Sequence, residues 1–175
     1  MFKRVLSIIF ICLSIAMMAV IFYFSSENSD TSVKTSEGVV AKIASFLYPD
    51  FDDITEAQQQ MVIESYHHLV RKAAHFTAYA ALGFFLCGAA VNIDKFKAKY
   101  RVLAGLLVCL LYAASDEIHQ AFVPGRGPSV FDVLLDFCGA VTGTVFLLGI
   151  YKLIGILAER SAAKPDNTPI KAAKF

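Results

Sequence analysis

Four long apolar segments, separated by polar stretches, constrain this chain more than any other feature of its sequence. They span residues 5–24, 73–91, 102–122 and 130–157. Each is close to or above the ~20 residues that an α-helix needs to cross a bilayer. Hydrophobic residues make up 57% of the chain, above the ~45–50% usual in soluble domains. The sequence therefore predicts an all-α membrane protein with a bundle of four transmembrane helices.

The first apolar segment could also be interpreted as a cleaved signal peptide. Its apolar core is longer than that of an ordinary signal peptide, and bulky Phe22, Tyr23 and Phe24 stand where a cleavage site would have small residues. We therefore expect an uncleaved first helix that follows the basic residues Lys3 and Arg4.

Residues 25–69 form the connection between the first two spans, and their sequence contains signs of helices. The polar stretch 25–32 lacks an apolar period and is expected to be irregular. Apolar residues recur at helical spacing over 39–47, which predicts a short amphipathic helix on the membrane or on the bundle. Thr55 and Gln58 have the spacing of a capping box, so a further helix should begin there and can run into the second span.

Proline and glycine between residues 124 and 128 predict a turn that joins the third and fourth spans. After the fourth span the chain is polar and contains Pro165 and Pro169. We expect one transmembrane domain over residues 1–160, followed by a disordered tail at 161–175.

Basic residues predict the orientation of the spans. Residues 3–4, the cluster at 95–101 and the residues after 151 fall on one side of a four-span arrangement, whereas the connection 25–69 has only Lys34 and Lys42. The positive-inside rule then places both termini in the cytoplasm and this connection outside. The net charge is only +1, so no nucleic-acid partner is expected.

This topology brings three polar clusters to one depth, because the second and fourth spans begin outside and the third ends there. Ionisable groups are costly in lipid and usually have a function. We therefore predict a polar site in the outer half of the bilayer. Its members are Arg71, Lys72, His75, Tyr79, Ser115, Asp116, Glu117, His119, Gln120, Arg126, Asp132 and Asp136.

Helical spacing places several of these side chains on common faces, because residues three or four apart are neighbours on a helix. Small residues at Gly139 and Gly143 permit close approach of another helix. These two glycines share a helix face with Asp132 and Asp136, so the two aspartates should point into the bundle. The sets are Arg71, His75 and Tyr79, then Asp116, His119 and Gln120, then Asp132, Asp136, Gly139 and Gly143.

The site admits functional and structural interpretations. Carboxylates and histidines with pKa values shifted by burial could act as general acids and bases, or they could form a hydrogen-bonded network that holds the helices together. The arginines and the lysine could bind a phosphate, or they could snorkel to the interface and pair with carboxylates. The candidate acid–base groups are Glu117, Asp116, His119 and His75. The candidate ligand-binding residues are Arg71, Lys72, Tyr79, Ser115, Gln120, Arg126, Asp132 and Asp136.

No metal ion or other cofactor is expected. The chain has no HExxH motif, adjacent His67 and His68 would point to different helix faces, and any metal site would need ligands from different helices. The four cysteines lie in four different apolar segments, where small core residues are the simplest interpretation.

The stretches 71–79 and 115–126, followed by Asp132-Val133 and 136–139, resemble the VanZ-like family of bacterial membrane proteins. The resemblance extends from the first span, with Ser25-Ser26, through the fourth. It implies a multi-pass protein of the bacterial cytoplasmic membrane, in a family named for a protein associated with low-level teicoplanin resistance. Many members look to have Asn where this chain has Asp136, which implies that a neutral amide can serve there.

The site and the resemblance together favour a pocket that binds, or acts on, a membrane lipid or a lipid-linked envelope intermediate. One alternative is a proton-coupled transporter or lipid-moving protein with Asp116, Glu117 and His119 as a relay. That function would require a homodimer, because one chain of this size is small for alternating access. A structural scaffold is the second alternative. The sequence leaves open whether the protein is an enzyme.

Overall fold

The computed structural model describes residues 1–48, 50–93 and 97–162, and this part of the chain is all-helical, with no strand. Four of its helices are long and apolar enough to cross a membrane, as the sequence predicted. Their outward faces expose large apolar side chains, among them Ile15, Leu111 and Val145, as expected of a surface in contact with lipid. The elements are α1 (Phe2–Ser26), α2 (Ser29–Leu47), a 3₁₀ turn (Phe51–Asp53), α3 (Glu56–Val91), α4 (Ala98–Gln120) and α5 (Val130–Ala162).

Helix α3 is the centre of the fold, because it packs against α1, α2, α4 and α5. Its 36 residues rise about 54 Å, well beyond the ~30 Å of a hydrocarbon core. The predicted capping box is present at its start, where the Thr55 hydroxyl accepts from the Gln58 backbone N–H and the Gln58 side chain accepts from the Thr55 N–H. The first turns of α3 therefore extend past the span.

Helix α2 packs on this extension of α3 through Val40 and Ala44, which are fully buried against Ile63 and Phe51. This contact agrees with the amphipathic helix predicted over 39–47. The prediction that residues 25–32 are irregular is wrong, since α1 continues to Ser26 and α2 already begins at Ser29. Once packing has stabilised the apolar turns of α2, adding polar residues at its start costs little, because helix propagation is far easier than nucleation.

Glycines bring α3 and α5 into backbone contact. A Cβ atom on Gly139 would overlap the carbonyl oxygen of Phe76, and one on Gly143 would overlap that of Ala80. From the other side, a Cβ on Gly83 would overlap the carbonyl oxygen of Ala140. The small-residue pattern on the fourth span therefore faces the bundle, as predicted, and the helix that it meets there is α3. Asp132 and Asp136 point towards the same helix.

The segment 121–129 is the turn predicted between α4 and α5. Gly125 has a φ of 77°, in the left-handed region that glycine adopts at no steric cost, and the Arg126 N–H donates to the Val123 carbonyl at 3.1 Å. At the end of the chain, α5 includes Ser161 and Ala162. The rest of the predicted tail, and part of the basic cluster at 95–101, lie outside the described residues.

Candidate functional site

The end of α4, the start of α5 and the middle of α3 meet at a small cavity close to the end of α1. The space open to the centre of a water molecule is about 20 Å³, enough for roughly one water. Seven of the side chains predicted for the site line this cavity, together with the apolar side chain of Leu135. The lining residues are Arg71, Lys72, His75, Glu117, Gln120, Asp132, Leu135 and Asp136.

Asp116 is the most extensively hydrogen-bonded carboxylate of the site. It is 4% exposed, and its Oδ2 accepts from the Ser25 hydroxyl at 2.8 Å and from the Gln120 amide at 3.1 Å. Gln120 also lies 3.4 Å from the Ser25 hydroxyl. These contacts join the ends of α1 and α4. They leave Oδ1 of Asp116 buried without a partner among the described residues.

Asp136 and His75 form the contact between α5 and α3 beside Asp116. Asp136 is 3% exposed, and its Oδ2 lies 3.8 Å from Nδ1 of His75. That distance is long for a hydrogen bond. Tyr79, one turn further along α3, is 0% exposed, and its hydroxyl has no partner in the described part of the chain. The hydroxyl is near enough to Asp116 and Asp136 to interact with both electrostatically.

Glu117 holds the turn that follows α4. Its Oε1 accepts from the backbone N–H of Ser129 at 2.6 Å, and the side chain is 6% exposed. A second contact ties α3 to the start of α5, where Nζ of Lys72 lies 2.5 Å from Oδ1 of Asp132 and 5.2 Å from the centre of the Phe131 ring. The carboxylates Glu117 and Asp132 therefore have structural partners.

Two arginines lie at this end of the bundle without an acidic partner. Among the residues whose side chains are described, no carboxylate is within ion-pair distance of Arg71 or Arg126. One nitrogen of Arg126, Nη2, donates to the Phe24 carbonyl at 3.1 Å, but its buried Nε and Nη1 have no partner there. Burial lowers the pKa of the Arg126 guanidinium, and repulsion by Arg71 lowers it further, whereas longer-range attraction by Asp116, Glu27 and Glu117 partly offsets these effects.

Five of the twelve predicted residues do not line the cavity. Tyr79, Asp116 and Arg126 have the contacts given above, and the other two are Ser115 and His119. The Ser115 side chain is exposed, and its hydroxyl donates to the Tyr112 carbonyl of its own helix at 2.8 Å. His119 stacks on Phe22 with ring centres 4.6 Å apart and lies 3.1 Å from the Ser26 hydroxyl. Both residues therefore lie outside the lining, and His119 contacts the end of α1.

Three contributors to the site were absent from the predicted set. Ser25 supplies a buried hydroxyl to Asp116, Leu135 lines the cavity, and the Ser129 backbone anchors Glu117. The signal for Ser25 was present in the sequence, because in the four-span topology the first span also ends at the depth of the polar clusters. A polar residue at that position was therefore a candidate partner for a buried carboxylate.

Comparison with known proteins gives one match. A family model described as VanZ/LLP1 matches residues 10–154, which include nearly all of the four spans and every residue of the site. No curated protein and no solved structure matches the chain.

Proposed function

The chain belongs to the VanZ/LLP1 family, and on that premise we propose that it binds the phosphate-bearing headgroup of an anionic lipid or lipid-linked intermediate of the cell envelope. The ligand contacts Arg71, which lines the cavity, and Arg126, which is close enough to Arg71 to be repelled by it. The cavity itself has room for only about one water. Under this proposal, any effect of the protein on teicoplanin resistance, with which the family is associated, would arise from binding such a ligand.

The observation that supports the proposal most strongly is the pair of arginines that have no carboxylate partner among the residues whose side chains are described. A buried donor without an acceptor costs about 1–3 kcal/mol, and more when it is charged. Burial and mutual repulsion of Arg71 and Arg126 add to that cost. An anion with several acceptor oxygens would offset both effects, and guanidinium groups match phosphate geometry well.

The surroundings of the arginines suit a lipid better than a soluble anion. Phe22, Phe24 and Phe122 are exposed near this end of the bundle, where aromatic side chains typically contact the interfacial part of a lipid. The basic residues Lys99 and Lys152 lie towards the opposite end. By the positive-inside rule, the cavity then opens to the outer leaflet of the cytoplasmic membrane.

Native mass spectrometry of the protein in mild detergent tests the proposal. The protein is incubated with phosphatidylglycerol or polyprenyl phosphate, and with inorganic phosphate to separate a headgroup site from a lipid site. We expect a lipid adduct of one ligand per chain in the wild type, and more than about tenfold less adduct in Arg126→Ala, which corresponds to a loss of one charge-assisted hydrogen bond or more.

Arg160→Ala is the matched control, because it removes an exposed arginine from the other end of α5. It should leave the adduct unchanged. Equal adduct in the wild type and Arg126→Ala, with both proteins folded, would contradict the proposal. Adduct formation with inorganic phosphate alone would show that the arginines bind an anion but not a lipid.

A further inference from the structure

Three potential metal ligands converge beside the cavity. One nitrogen of His75 and one oxygen each of Asp116 and Asp136 lie within 4.8 Å of one another. The three residues come from α3, α4 and α5, so no spacing along the sequence indicates their proximity. Both carboxylates are more than nine-tenths buried.

The charge on the two aspartates is only partly balanced by the side chains around them, namely by His75 beside Asp136 and by the longer-range attraction between Arg126 and Asp116. No lysine or arginine of the described chain lies within ion-pair distance of either carboxylate. Among the described residues, the side chain of Asp136 has its one polar contact with His75, at 3.8 Å. Asp116 receives two neutral hydrogen bonds on one oxygen. Two buried carboxylates that share one imidazole as their only nearby cationic group are strongly unfavourable unless a further cation accompanies them.

Two buried oxygen atoms at this place have no partner within the described residues. They are Oδ1 of Asp116 and the hydroxyl of Tyr79. Tyr79 is not one of the three convergent ligands, it is 0% exposed, and its hydroxyl interacts electrostatically with both aspartates. A buried hydroxyl normally has a hydrogen-bond partner. The unpaired Tyr79 hydroxyl is therefore independent evidence for a further ligand between these side chains.

We infer that His75, Asp116 and Asp136 bind one divalent transition-metal cation, with Tyr79 as a further oxygen ligand or as a donor to a ligating carboxylate. Zn²⁺ and Mn²⁺ are the ions that suit a mixture of one imidazole and two carboxylates. Metal–ligand bonds of about 2.0–2.2 Å place the ligand atoms roughly 3–4 Å from one another. The distances between the three ligand atoms therefore need to shorten by about 1 Å when the ion binds. A dication would neutralise the two carboxylates.

The residues around the three ligands fit this role. Ser25 and Gln120 donate to the same oxygen of Asp116 and so leave its other oxygen available to the ion. Such donors orient ligands and contribute to metal affinity. The cation site does not depend on lipid binding by Arg71 and Arg126, because none of its ligands belongs to that pair.

The test measures metal content and metal affinity directly. The protein is purified in detergent without chelator and analysed by inductively coupled plasma mass spectrometry. It is then stripped with a chelator and titrated with Zn²⁺ or Mn²⁺ while its unfolding temperature is recorded. We expect close to one ion per chain and an unfolding temperature that rises with the ion. His75→Gln and Asp116→Asn should each weaken the apparent affinity more than about tenfold, as should Tyr79→Phe, which keeps the ring.

Two variants serve as matched controls. Glu64→Gln removes an exposed carboxylate from α3, and His68→Gln removes an exposed histidine from the same helix. Both should bind the ion like the wild type. The site is refuted if the wild type neither retains metal nor responds to Zn²⁺ or Mn²⁺, and equally if the control variants lose affinity as much as His75→Gln. If the wild type does not bind metal, His75 serves as an ion-pair partner of Asp136.

Discussion

The interface between α3 and α5 changes its chemistry along its length. In the middle of the bundle, Gly139 and Gly143 bring the backbones together, and the buried Thr144 hydroxyl donates to the Gly83 carbonyl at 3.2 Å. At the end that holds the cavity, the same two helices meet through the pair Lys72–Asp132 and the contact between His75 and Asp136. One interface therefore combines close backbone packing with an ionisable site.

The two parts also differ in how well their polar groups are satisfied. Near the glycines the buried hydroxyl has its acceptor, whereas the cavity end leaves polar atoms of Tyr79, Asp116 and Arg126 without partners among the described residues. Native proteins rarely leave buried polar groups unpaired unless an unseen ion, water or function accounts for them. We therefore expect the glycine part to determine stability and the polar end to determine binding.

The largest expected effect on stability comes from Gly143→Ala. The added Cβ would overlap the Ala80 carbonyl oxygen, and because that atom is backbone, the helices must separate. We expect a loss of about 3 kcal/mol or more in the free energy of unfolding, at the upper end of overpacking effects. The measurement is a titration with a denaturing detergent of the protein in micelles.

Gly149→Ala is the control for this prediction, because nothing lies within 4 Å of the position that its Cβ would occupy. It should change the free energy of unfolding by about 1 kcal/mol or less, the range of the difference in helix propensity. Similar losses in both variants would mean that glycine is needed in α5 for a reason other than contact with α3.

An intermediate effect is expected from Glu117→Ala, at the polar end. Glu117 accepts the backbone N–H of Ser129 at 2.6 Å, and hydrogen bonds to charged groups contribute roughly 1.5–3 kcal/mol. Glu117→Gln keeps an acceptor oxygen and should be the more stable variant by about 1–2 kcal/mol. Amide hydrogen exchange in residues 121–129 should be faster in Glu117→Ala than in Glu117→Gln. Equal exchange would show that Glu117 does not hold the turn.

The convergence of polar clusters could be predicted because it follows from topology. The four apolar segments determine the number of crossings, and the order of crossings determines which helix ends meet. The side of a helix on which Asp136 lies could be predicted as well, because it is tied to Gly139 and Gly143 by helical spacing. These arguments require only hydrophobicity and the period of the α-helix.

The contacts within the site could not be predicted in the same way. His119 was predicted to share a helix face with Asp116, but it stacks on Phe22. The reason is that the end of α1 packs against part of that face of α4. The proximity of His75 and Asp116 depends on how far α3 and α4 are rotated about their axes, which the sequence does not determine. The polar start of α2 was missed because a helix can extend beyond its apolar period.

The smallest effect on stability is expected from the ion pair Lys72–Asp132. The two side chains are 37% and 21% exposed, so water screens their attraction, and exposed pairs contribute about 0.2–1 kcal/mol. A double-mutant cycle with Lys72→Met and Asp132→Asn, measured by the same detergent titration, should give a coupling energy below about 1 kcal/mol. A larger coupling would mean that the polar end stabilises the α3–α5 interface as the glycines do. The division between a stabilising middle and a binding end would then not hold.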